Sequence, residues 1–157
     1  MSVVRAIEAR DRPALAALLT TVAEFTAEEV AVALELIDAA IDETDDYRVL
    51  VAESARPGAL DGYVCFGPTP MTTGTWDLYW IATSSAARRT GVGRALIDAL
   101  DLALRREGAR LVRVETSSRD GYQATRSFYD RTGFGVAATI REFYAPGDDL
   151  VIYARYY

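Results

Sequence analysis

Between positions 75 and 108 the apolar pattern changes period, and that change constrains the fold more than any other feature. Thr-Trp-Asp-Leu-Tyr-Trp-Ile-Ala-Thr over 75–83 has the composition of a strand. From there on, Val92, Ala95, Leu96, Ala99, Leu100 and Ala103 recur at the spacing of one helix face, which stops at Gly108. Residues 110–116 are strand-like again. A chain that switches from period 2 to period 3.6 and back belongs to the α/β architectures.

The flanking segments agree. Residues 2–8 alternate as a short strand, Asp11 offers a helix N-cap, and Leu15, Leu18, Leu19 and Val22 form a helical stripe. Thr26 and Glu29 are spaced as a capping box, in which each side chain satisfies the other's backbone amide, at the head of a helix with Val30, Ala33, Leu34, Ile37 and Ile41 inward. Strands at 47–54 and 62–67 enclose a Pro57-Gly58 turn. A helix over about 122–132 closes at Gly133, and two last strands, near 134–144 and 149–156, flank Pro146-Gly147-Asp148-Asp149. The order β-α-α-β-β-β-α-β-α-β-β predicts one mixed α/β domain over 1–157, with about seven strands and four helices.

Composition narrows the chemistry. At 157 residues the fold buries roughly two-thirds of its unfolded surface, so neither disulfides nor metals are needed to hold it. The chain has a single Cys, Cys65, and no His, which removes imidazole bases, His-containing triads and the usual zinc sites; no metal is expected. Cys65 reads as a small buried hydrophobe rather than an acyl carrier. All 17 basic residues are Arg, against 23 acidic ones, a net charge of −6. This balance argues against nucleic acid and suits a cationic partner. No apolar run reaches the roughly 18 residues of a membrane span, so a cytoplasmic protein is expected.

The most informative segment joins the strand to the helix: Arg88-Arg89-Thr90-Gly91-Val92-Gly93-Arg94. Backbone amides at a helix N-terminus, two glycines without Cβ atoms and three arginines together suit a phosphate. A dinucleotide-binding Gly-x-Gly-x-x-Gly is excluded because Leu96 takes the third glycine position, and a Walker A loop because there is no Lys. What remains, Arg-x-x-Gly-x-Gly, resembles the GNAT N-acetyltransferase superfamily. So does Phe128-Tyr129-Asp130-Arg131-Thr132-Gly133-Phe134, similar to that family's aromatic-Tyr-x-x-x-Gly-Phe segment. The element order is similar along nearly the whole chain.

That resemblance implies a splayed mixed sheet and acetyl-CoA as co-substrate for transfer to a primary amine, with a homodimer as the expected assembly. It implies that residues 88–94 hold the pyrophosphate, that backbone groups of Ile81, Ala82 and Thr83 hold pantetheine and the acetyl oxygen, and that Tyr129 is the acid for the departing sulfur. Asp77 stands where several members carry a catalytic Glu and is the first candidate for base, in one row with Tyr79, Ile81 and Thr83 by strand alternation. Glu115, Glu142 and Asp149 are alternatives. Tyr122 stands where many members have Asn, so a different group is expected to meet the cofactor there. Trp76, Tyr79 and Trp80 read as core or as acceptor pocket. A fold that binds CoA without turnover, or one that takes another acyl group, fits the same motifs.

Overall fold

The computed structural model describes residues 2–157. Eleven regular elements follow one another as β1 (Val4–Ala6), α1 (Arg12–Thr20), α2 (Ala27–Asp42), β2 (Arg48–Glu53), β3 (Leu60–Pro68), β4 (Thr75–Thr83), α3 (Val92–Arg106), β5 (Leu111–Ser117), α4 (Gln123–Arg131), β6 (Gly135–Ala145) and β7 (Asp148–Tyr156). The seven strands form one sheet in the order β1-β2-β3-β4-β5-β7-β6, antiparallel throughout except for the β4–β5 pair. The mixed α/β sheet of seven strands with four helices that the element order predicts is therefore present.

Local chemistry explains most boundaries. Thr26 Oγ1 accepts from the Glu29 amide at 3.1 Å and Glu29 Oε1 from the Thr26 amide at 3.4 Å, so the predicted capping box opens α2. Gly108 and Gly133 follow α3 and α4 with φ of 72° and 88°, the left-handed turn that ends a helix. Asp11 departs from expectation. Its carboxylate accepts from the Arg5 guanidinium at 2.8 and 2.9 Å and from the Glu8 amide at 2.8 Å, so it ties β1 to a single 3-10 turn and makes no cap bond to α1.

The two faces of the sheet bury separate cores. On one, α3 and α4 cover Val64, Phe66, Leu78, Val112 and Tyr153 with Leu96, Ile97, Leu100, Leu104 and Tyr129. On the other, α1 and α2 cover Val49, Val51, Tyr63 and Cys65 with Leu15, Leu19 and Ile37. Gly62 sets how closely α3 lies on β3, since a Cβ there would come within 2.8 Å of Ala82 O and about 3 Å of Leu96 and Val92. That fit fixes the start of α3 beside the end of β4.

The titration pattern predicts a broad stability plateau. With no His, no side chain with an ordinary pKa ionises between about pH 5 and 8. Burial pushes the Cys65 thiol up to about 12 and raises the phenols of Tyr63 and Tyr129, so only the unfolded chain ionises these groups as pH passes about 8.5 to 10. Hydrogen bonds from Arg5 hold the Asp11 carboxyl below its usual range, a contribution lost as pH falls below about 4. The melting temperature should be level from pH 5 to 8 and fall on both sides; a step inside that window would contradict this pattern.

Candidate active site

The site begins where two strands part. β4 and β5 pair only over Thr75–Asp77 and Leu111–Arg113; beyond, β4 stays on β3 and β5 stays on β7, which it pairs along its whole length. The backbone of Leu78–Thr83 that would face β5 is left without a strand partner, opening a cleft of about 1910 Å³ between the two halves of the sheet. Asp77 sits at the apex, 7% exposed, with Oδ1 accepting from Arg113 Nε at 2.5 Å and Oδ2 from Thr69 Oγ1 at 2.8 Å. Arg113 also reaches Glu115 at 3.1 Å.

A bulge then changes the face alternation. Cys65 pairs with Trp80 and Phe66 with Leu78, so Tyr79 is an extra residue in β4. Tyr79 and Trp80 both pack toward α1 and α2, against Tyr47 at 5.2 Å and Phe25 at 5.1 Å, whereas Ile81 packs against the α3 core. The expected row Asp77, Tyr79, Ile81, Thr83 is therefore broken after Tyr79, because one inserted residue moves every later side chain to the other face. Trp76 is buried core beside Phe66, while Tyr79 and Trp80 line the cleft.

The loop from Arg88 to Arg94 forms one end of the cleft. Gly91 caps α3 at φ 89° with no side-chain cap bond, and among the described residues the amides of Val92, Gly93 and Arg94 have no hydrogen-bond partner. Three outward amides at the positive end of a 15-residue helix make an anion cradle. Arg88 is paired with Glu24 at 3.0 Å and Arg94 with Asp98 at 3.0 Å, both exposed, and Arg89 lies at φ 62°. The two glycines serve different ends. A Cβ on Gly91 would meet nothing within 4 Å, whereas one on Gly93 would lie 3.0 Å from the Phe128 ring, so Gly93 is small because α4 packs there. Thr90 stands apart, donating to Ala87 O at 2.5 Å and lining a separate surface pocket with Ser2 and Arg56. Ile81, Ala82, Thr83 and the other residues from Arg88 to Arg94 line the main cleft.

Tyr129, on α4, faces this cleft at 4% exposure, its ring held by Phe128, Phe134 and Tyr153 at 5.4–5.7 Å. Its hydroxyl makes no hydrogen bond among the described residues, and burial raises its pKa above the ordinary tyrosine range. Tyr122 lines the cleft at the head of α4, with the Arg119 guanidinium 5.9 Å from its ring. Of the alternative carboxylates, Glu115 lines the cleft, while Glu142 and Asp149 lie off it. Asp148 and Tyr144 are among the cleft residues that had no sequence signal. Asp148 sat in a segment read only as a turn; it accepts from Ser117 Oγ and pairs with Arg119 at 3.2 Å. Tyr144 sat in a segment read only as strand.

The sequence model of the acetyltransferase (GNAT) domain matches residues 45–136. The chain belongs to the GNAT acetyltransferase family. A structure from Desulfovibrio desulfuricans, assigned to the same family, superposes with a TM-score of 0.93 at 36% identity over 99% of both chains. The GNAT fold is shared at lower identity with the Escherichia coli ribosomal-protein-S18-alanine N-acetyltransferase (TM-score 0.76, 21% identity, 99% of this chain and 94% of that one). An aminoglycoside 6'-N-acetyltransferase complexed with coenzyme A also shares it (TM-score 0.74, 15% identity, 98% and 96%). A comparison with curated protein sequences gave no match.

Proposed function

We propose that this GNAT protein transfers an acetyl group from acetyl-CoA to a primary amine by direct attack on the thioester. One observation carries the reading: a single cleft holds three unpartnered helix-N-terminal amides, an unpaired strand edge and the Tyr129 hydroxyl, which has no partner among the described residues. All are polar groups that the fold leaves unpaired on the cleft wall, where a ligand can use them. The Val92, Gly93 and Arg94 amides, with the charges of Arg88, Arg89 and Arg94, suit a pyrophosphate. The free edge at Ile81–Thr83 suits an amide-bearing pantetheine arm and supplies a donor for the acetyl oxygen, and Tyr122 borders the same channel. The nitrogen–carbon bond forms as the carbon–sulfur bond breaks. Tyr129 meets the sulfur as hydrogen-bond donor and acid, and the amine proton leaves toward Asp77, directly or through water.

The acceptor side favours a cation. Glu29 lines it without a cationic partner among the described ion pairs, and Phe25, Tyr79 and Trp80 supply aromatic surface. The coenzyme A complex and the alanine N-acetyltransferase named above support the reading by analogy of fold. A homodimer in the cytoplasm completes it: β6 ends the sheet with all 11 residues exposed, Val136, Ile140 and Phe143 among them, and Cys65 is a buried free thiol. No described helix is long and apolar enough to cross a membrane.

Arg94→Glu tests the cradle. Its ion pair with Asp98 is exposed, and an acidic residue in the first turn of a helix is itself favourable, so the fold should be unaffected. Acetyl-CoA should bind about tenfold more weakly in low salt, with the gap narrowing as salt rises. Unchanged affinity in calorimetry would contradict a pyrophosphate at this loop.

A further inference from the structure

The last hairpin departs from regular pairing at one place. Ile140 pairs with Leu150 and Ala145 with Asp148, so the four residues Arg141–Tyr144 of β6 stand against Asp149 alone. An ordinary bulge adds a single residue. At the centre of this one, Glu142 adopts φ 51°, a left-handed conformation that a residue with a Cβ holds only under constraint. The constraint is visible. The Glu142 amide donates to Asp149 Oδ1 at 2.8 Å, the Asp149 amide donates to Ser118 Oγ at 2.7 Å, and the Ser118 amide donates to Asp149 O at 3.0 Å. The bulge is thereby fastened to the end of β5.

Fastening it has a consequence for the cleft. The Phe143 and Tyr144 rings meet edge to face at 5.0 Å, and Tyr144 lines the cleft. Tyr144 shares the cleft lining with Glu29, Glu115 and Asp148; Arg113 holds Glu115 and Arg119 holds Asp148, whereas Glu29 has no cationic partner among the described ion pairs. An aromatic face in a cleft that also carries an uncompensated carboxylate attracts a cationic substituent.

We propose that Asp149 is a positioning residue, which holds the Arg141–Tyr144 bulge so that Tyr144 forms the acceptor-side wall of the cleft and selects amines carrying a second positive charge. This rests on the acetyl-transfer reading above. Asp149 does not touch the acceptor; it acts through the Glu142 amide.

The test is thiol release from acetyl-CoA with 1,4-diaminobutane and with n-butylamine as acceptors, alongside acetyl-CoA binding. The unmutated protein should prefer the diamine. Tyr144→Ala and Asp149→Ala should each raise the diamine KM about tenfold while acetyl-CoA affinity stays within about twofold. Asp149→Asn keeps a carbonyl oxygen for the Glu142 amide and should restore a KM within about threefold of the original. An unchanged diamine KM in Tyr144→Ala overturns the proposal even if Asp149→Ala fails to fold. So does an Asn variant as impaired as the Ala variant, or a parent with no preference for the diamine. Absence of both acetyl-CoA binding and thiol release in the parent would instead overturn the acetyl-transfer reading, and this proposal with it.

Discussion

Replacing Tyr129 with Phe should lower kcat by about 10²–10⁴-fold and leave the melting temperature unchanged. The packing half of this expectation follows from the ring's surroundings. Phe128, Phe134 and Tyr153 hold it at 5.4–5.7 Å, and a Phe ring fills the same space. Because the hydroxyl bonds to nothing within the fold and opens on the cleft, its removal breaks no internal hydrogen bond. The catalytic half follows from the raised pKa. Burial keeps the phenol protonated through and beyond pH 10, so it stays available as a donor whenever the acceptor amine is neutral. Activity should therefore rise with pH as the amine loses its proton, with no alkaline limb from Tyr129, and the Phe variant should follow a parallel, lower curve. Measuring kcat against pH for both proteins checks this. Full activity with a lowered melting temperature would make Tyr129 a core residue only.

Asp77→Asn should reduce kcat by a comparable factor at neutral pH while acetyl-CoA affinity holds. A carboxylate offers about four lone-pair sites. Thr69 and Arg113 use two, which leaves room for an ammonium or a relaying water. The amide variant keeps one oxygen for Arg113, and Arg113 keeps Glu115 at 3.1 Å, so the apex of the splay should survive the change. An aliphatic amine titrates near pH 10, so at pH 7 only about one molecule in 10³ is neutral and proton removal is part of the work. As pH rises, solvent takes over that work and the deficit of the variant should shrink. A higher acceptor KM with unchanged kcat at every pH would make Asp77 a binding residue and assign the base elsewhere.

Legibility in the sequence tracks how local the cause is. The α2 cap, the glycine ends of α3 and α4 and the exposed amides after Gly91 each depend on a few neighbouring residues, and their residue types announce them. The two motifs also converge on one cleft, since Tyr129 and all the cofactor candidates except Thr90 line it. What stayed hidden depends on pairing between distant strands. The Tyr79 bulge is an extra residue only relative to β3, so alternation along β4 alone put Ile81 on the wrong face. That Gly93 also makes room for a ring of α4 was hidden, because that ring, Phe128, lies 35 positions away. Asp149 had the credentials of a base in composition, yet its carboxylate is committed to the Glu142 amide, a contact that exists only once β6 and β7 have paired out of step.

The most direct test of acetyl transfer in this cleft measures thiol released from acetyl-CoA and acetylated amine formed, in the same reaction, with a panel of cationic amines. The account predicts one thiol per acetylated amine, a rate that rises with amine concentration to saturation, and loss of both products together in Tyr129→Phe. Tight acetyl-CoA binding with no amine-dependent thiol release would contradict it, and would leave a protein that senses the cofactor without consuming it.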